Sequence, residues 1–77
     1  MQIELSKSAN KAISRMDSTT KNRIKTAIEK LPHGDITRLR GHTNSYRLRV
    51  GDYRVLFEMH NIIKITNILP RGEAYKK

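Results

Sequence analysis

Hydrophobic and polar residues alternate along Gln2-Ile3-Glu4-Leu5, which predicts a short strand with Ile3 and Leu5 on one face. Ser6 is a suitable N-cap for the next segment, because Ala9, Ala12, Ile13 and Met16 recur at spacings of three and four, the mark of a helix with one apolar stripe. Asp17 or Ser18 restarts the cycle. Ile24, Ala27, Ile28 and Leu31 form a second stripe, and Pro32 with Gly34 ends it, since proline cannot donate the next backbone hydrogen bond. A tight link between the two helices makes a helical hairpin. From about Thr43 the period changes from 3.6 to 2. Tyr46, Leu48 and Val50 alternate with Arg47 and Arg49; after Gly51-Asp52, Tyr53, Val55, Phe57 and Met59 alternate with Arg54, Leu56 and Glu58.

Gly51 at the first central position suits a type II′ turn, whose twist matches that of paired strands. Such a turn sets Val50 opposite Tyr53, Leu48 opposite Val55 and Tyr46 opposite Phe57, so apolar partners meet on one face. It also sets Arg49 opposite Arg54, with Arg47 beside them. Like charges directly across a strand pair are destabilising, and a bound anion would offset the repulsion. A last strand is expected from Ile62 to Leu69. A three-residue loop at His60-Asn61-Ile62 would turn Ile63 and Ile65 to the core and place Lys64 across from Glu58. Alternation then fails at Thr66-Asn67-Ile68, which points to a bulge that returns Ile68 to the core side; Pro70 ends the strand.

Residues 32–45 are the longest irregular stretch. Neither a repeat nor an interdomain linker interrupts the chain, so residues 1–77 are expected to form a single domain of the α+β class. Its expected order is β-α-α-β-β-β, with the helical hairpin packed on one face of a small, mostly antiparallel twisted sheet. The other face is left largely open, and the arginines are expected there.

Composition narrows what such a face can do. The 77 residues are 36% apolar and contain neither Cys nor Trp, which leaves out a disulfide framework, a thiolate metal site and a cysteine nucleophile. No apolar run approaches the roughly 20 residues that span a bilayer, and no basic stretch leads into an apolar one as a signal peptide requires. A cytoplasmic protein without a membrane partner is expected. Sixteen Lys and Arg against seven Asp and Glu give a formal charge of +9, more than solubility asks of a small domain, and favour a polyanionic partner. A merely solvated basic surface is the alternative, and the arrangement of the charges separates the two.

Arg38, Arg40, Arg47, Arg49 and Arg54 crowd residues 38–54, where Asp52 is the only acid, and Arg71 follows the last strand. All six are Arg rather than Lys. Guanidinium forks hold phosphate oxygens in bidentate fashion and stack on bases, which makes these residues the candidates for RNA binding; pairing with Asp52, Glu58 or Glu73 is the structural alternative. Tyr46 and Tyr53 fall in phase with the core. Tyr75, by contrast, lies in a polar tail where no periodicity demands an aromatic, and suits a base-stacking platform or a catalytic phenol. His33, His42 and His60 lack metal-ligand spacing, so neither a metal nor a small-molecule cofactor is expected. No nucleophilic triad, phosphate-cradling glycine loop or glycosidase acid pair is readable either.

Leu39-Arg40-Gly41, then Tyr46-Arg47-Leu48-Arg49-Val50-Gly51-Asp52-Tyr53-Arg54-Val55, then Ile68-Leu69-Pro70-Arg71-Gly72-Glu73-Ala74-Tyr75-Lys76 resemble, in order and spacing, the RelE/ParE toxin superfamily. RelE-like members are ribosome-dependent endoribonucleases, mRNA interferases that enter the decoding site and cut mRNA; ParE-like members share the fold and poison DNA gyrase. The resemblance implies a cognate antitoxin and the mRNA in the ribosomal decoding site as partners. It assigns Arg47, Arg49, Arg54, Arg71 and Tyr75 as catalytic, in a reaction where the RNA 2′-OH attacks the adjacent phosphate. Arg stands at two positions where the family often has Lys. Since Arg cannot be deprotonated in proteins, Arg47 and Arg49 would act electrostatically and Tyr75 would accept the proton. A gyrase inhibitor without nuclease activity and a non-catalytic RNA-binding homologue are the alternatives.

Overall fold

The computed structural model describes residues 2–41 and 43–70. Its elements are β1 (Ile3–Leu5), α1 (Lys7–Ser14), α2 (Ser18–Glu29), β2 (Ile36–Arg38), β3 (Ser45–Val50), β4 (Tyr53–Met59) and β5 (Ile63–Pro70). Both helices start where their caps are. Ser6 Oγ accepts the Ala9 amide at 3.1 Å, and Asp17 Oδ2 accepts that of Thr20 at 3.1 Å, each satisfying a donor that has no partner within its helix.

The five strands form one sheet in the order β1-β5-β4-β3-β2, with β1 parallel to β5 and every other pair antiparallel. The expected α+β architecture holds, with one strand more than the sequence pattern predicts. Ile36–Arg38, inside the stretch expected to be irregular, pairs with β3 as an edge strand. Three residues are too few for alternation to stand out from their surroundings.

Register follows the expectation closely. Val50 faces Tyr53, Arg49 faces Arg54, Leu48 faces Val55 and Tyr46 faces Phe57. Gly51 has φ +57° while Asp52 does not have positive φ, as a type II′ turn requires. Met59 faces Ile63 across the three-residue loop, and Glu58 faces Lys64. Between Leu56, opposite Asn67, and Phe57, opposite Ile65, the register shifts, which leaves Thr66 as the extra residue of the bulge.

The core lies between the sheet and the helices. Ala9, Ile13, Ile24, Ile28 and Leu31 from the helical side meet Leu48, Val55, Phe57, Ile63, Ile65 and Ile68 from the strands, all buried. Tyr46 stacks on Phe57 with centroids 5.5 Å apart and an interplanar angle of 19°. α1 packs over β5 and β1, and α2 reaches β3. Among the described residues no helix is long and apolar enough to cross a membrane.

Candidate nucleic-acid interface

Because Leu48 is buried against the helices, strand alternation turns Arg47 and Arg49 to the opposite face of β3. Arg54 on β4 joins that face, directly across from Arg49. Three arginines thus belong to the same side of one hairpin. Their environments differ: Arg49 is exposed, Arg47 half-buried, and Arg54 only 5% exposed.

Hydrogen bonding separates the facing pair. Arg54 Nη1 donates to the Gly51 carbonyl at 3.3 Å and the Tyr53 carbonyl at 3.1 Å, so its charge turns toward the hairpin turn. Arg49 leans the other way, where its Nε meets Asp35 Oδ2 at 2.9 Å. Asp35 also accepts the Arg49 backbone amide through its own carbonyl at 2.9 Å. The repulsion anticipated from the sequence is therefore reduced by divergence, and the face stays cationic.

The remaining candidates do not all assemble there. Arg38 lies opposite Tyr46 and shares its face, which is the helix side of the sheet; it is exposed at the end of the edge strand. That corrects the expectation that the arginines share the open face: the unforeseen β2 sets a register that points Arg38 away from Arg47. Arg40 is exposed in the turn after β2. Arg71 and Tyr75 lie outside the described residues. A groove of about 390 Å³ beside α1 and the end of β5, lined by Lys11, Arg15, Tyr53 and Leu69 among others, is also on the helix side and takes no part in the hairpin cluster. Among the described residues no group of three or more His, Asp or Glu side chains is placed to hold a metal.

A family model described as the ParE toxin of type II toxin–antitoxin systems, parDE, matches residues 3–75. The chain belongs to this ParE toxin family. Solved structures of RelE toxins carry the same fold as this ParE-family chain. The RelB–RelE antitoxin–toxin complex from Methanococcus jannaschii is 28% identical, with a TM-score of 0.79 over 94% of each chain. The archaeal RelE–RelB complex from Pyrococcus horikoshii is also 28% identical, with a TM-score of 0.74 over 92% of this chain and 94% of that one. The isolated Escherichia coli RelE toxin, 15% identical, shares the fold with a TM-score of 0.73 over 90% of this chain and 82% of its own. No curated protein matches the chain at a significant level. The RelE/ParE resemblance read from the hairpin motif is thus shown, and the chain is a RelE-like toxin of a toxin–antitoxin system.

One polar residue beside the hairpin arginines escapes sequence reasoning. Asp35 stands in the stretch expected to be irregular, and its contact with Arg49 exists only because β2 pairs with β3. The available signal was an acid immediately before two β-branched residues, Ile36 and Thr37, which hints at a strand entry without naming a partner.

Proposed function

We propose that the chain is a ribosome-dependent endoribonuclease that cuts mRNA in the decoding site. The carrying observation is the grouping of Arg47, Arg49 and Arg54 on one face of the β3–β4 hairpin. Charge on that face matches a phosphodiester whose negative charge grows during cleavage. The RNA 2′-oxygen attacks the adjacent phosphorus as Tyr75 takes its proton; the bond to the 5′-oxygen breaks and that oxygen takes a proton from water, leaving a cyclic phosphate and a 5′-hydroxyl. Arg47 and Arg49 hold the non-bridging oxygens. Arg54 contributes a fixed positive field from its buried position, where screening is weak. Arg71 stabilises the departing 5′-oxygen. A phenol of ordinary pKa, about 10, is a poor base at neutral pH, so this role asks for cations that favour the phenolate of Tyr75.

An antitoxin of acidic character fits the same reading: the solved M. jannaschii and P. horikoshii relatives are RelB–RelE complexes, and +9 of formal charge favours an acidic cover. The toxin would act in the cytoplasm, where its ribosomes are.

The matching family model is named for ParE, which favours gyrase inhibition as the second reading. Controlled expression in a bacterial host separates the two. Interferase action gives translation arrest with message cut at discrete sites, whereas gyrase poisoning gives DNA damage and filamentation with intact message.

A further inference from the structure

Asp35 contacts the cationic face itself, through Arg49. Its Oδ2 receives Arg49 Nε at 2.9 Å, and its carbonyl receives the Arg49 amide at 2.9 Å. The two side chains are 58% and 64% exposed, and an ion pair that wet contributes little to folding. Its geometric effect is larger. Backbone pairing sets where Asp35 stands, and a contact through Nε leaves the Nη1 and Nη2 edge of the guanidinium for a phosphate to meet end-on. The same contact draws Arg49 away from Arg54, its partner in register.

We infer that Asp35 is a positioning residue, which holds Arg49 with its Nη edge presented to an RNA phosphate. The inference rests on the RNA reading above and deepens it, since an acid on an RNA-binding face otherwise only weakens binding. Two roles of opposite sign can therefore be told apart. An acid that merely neutralises Arg49 makes Arg49 worth more once the acid is gone. An acid that orients Arg49 makes it worth less.

The test is a double-mutant cycle on Asp35→Ala and Arg49→Ala, read as the affinity of the full chain for a short single-stranded 2′-O-methyl RNA, which cannot be cut, at constant ionic strength. Thermal melts check that each variant folds. Positioning predicts that Arg49→Ala weakens binding by a factor about threefold or more larger in the natural background than in the Asp35→Ala background. Asp35→Glu, which keeps the charge and moves it by one methylene, is expected to lose part of the affinity. Equal factors in both backgrounds, or a larger factor in the Asp35→Ala background, overturn the inference while leaving RNA binding intact. Failure of the unsubstituted chain to bind the RNA at all overturns the RNA reading and the inference with it.

Discussion

Arg49 and Arg54 stand directly opposite each other on β3 and β4, yet their guanidinium groups part, one to Asp35 and the other to the carbonyls of Gly51 and Tyr53. The first is exposed and the second buried, so the same substitution should act differently at the two positions. Arg54→Ala removes charge-assisted hydrogen bonds in a buried setting and is expected to cost about 2–3 kcal/mol. Arg49→Ala is expected to stay within about 0.5 kcal/mol. Urea unfolding of the two variants measures this, and equal losses would contradict the division into a buried anchor and an exposed contact.

Gly51 carries the hairpin that sets these arginines in register. Its φ of +57° strains any side-chain-bearing residue, and an added Cβ would also stand 3.2 Å from Arg23 Nη2. Gly51→Ala should destabilise by about 1–2 kcal/mol, mostly through the backbone term. The Arg23 side chain is a flexible end that can give way, so adding Arg23→Ala should recover little. Substantial recovery in the double variant would mean that the close approach, not the backbone, is what glycine serves.

Ser6 joins the start of α1 to the bulge of β5. Its hydroxyl donates to the Thr66 carbonyl at 2.7 Å while accepting the Ala9 amide at 3.1 Å. Ser6→Ala loses both the cap and the tether, for an expected cost of about 1–2 kcal/mol. Thr66→Ala should cost less, because the tether ends on its backbone. Its own hydroxyl bond, to the Leu56 carbonyl, spans 3.1 Å. Chemical denaturation ranks the two, and the reverse order would contradict the tether.

Asp17 gives a pH signature. Hydrogen bonds from the Thr20 hydroxyl and the Thr20 amide hold its carboxyl below the ordinary value of 3.8. A carboxylate whose folded pKa is depressed contributes stability that is present above its unfolded pKa and is lost as pH falls through the folded one. Asp17→Ala should therefore melt lower than the natural chain at neutral pH, and the gap should close as pH falls below about 4. A gap that persists unchanged at the acid end would show that the carboxylate's charge is not what caps α2.

Much of the fold was legible because the hairpin is over-determined. Tyr46, Leu48 and Val50 admit one register against Tyr53, Val55 and Phe57 once Gly51 fixes the turn, and that register alone places Arg49 against Arg54. The helices were equally readable from Ser6, Asp17 and their stripes. What failed to show was non-local. β2 is three residues long and draws its definition from pairing with β3, so neither the strand nor the reversed facing of Arg38 could be read from periodicity. Burial of Arg54 was hidden for a related reason: alternation assigns a face, but not what becomes of the side chain on it. The partnership of Asp35 with Arg49 depends on the same unseen strand.

Cleavage on the ribosome tests the central claim most directly. Primer extension on a defined message, with the purified chain added to programmed ribosomes or to the message alone, should show discrete cuts only when ribosomes are present, and the Arg47→Ala, Arg49→Ala double variant should lose them while remaining folded. An intact message under ribosome-saturating conditions, or cuts that survive loss of both arginines, would contradict the assignment of the hairpin as the catalytic face.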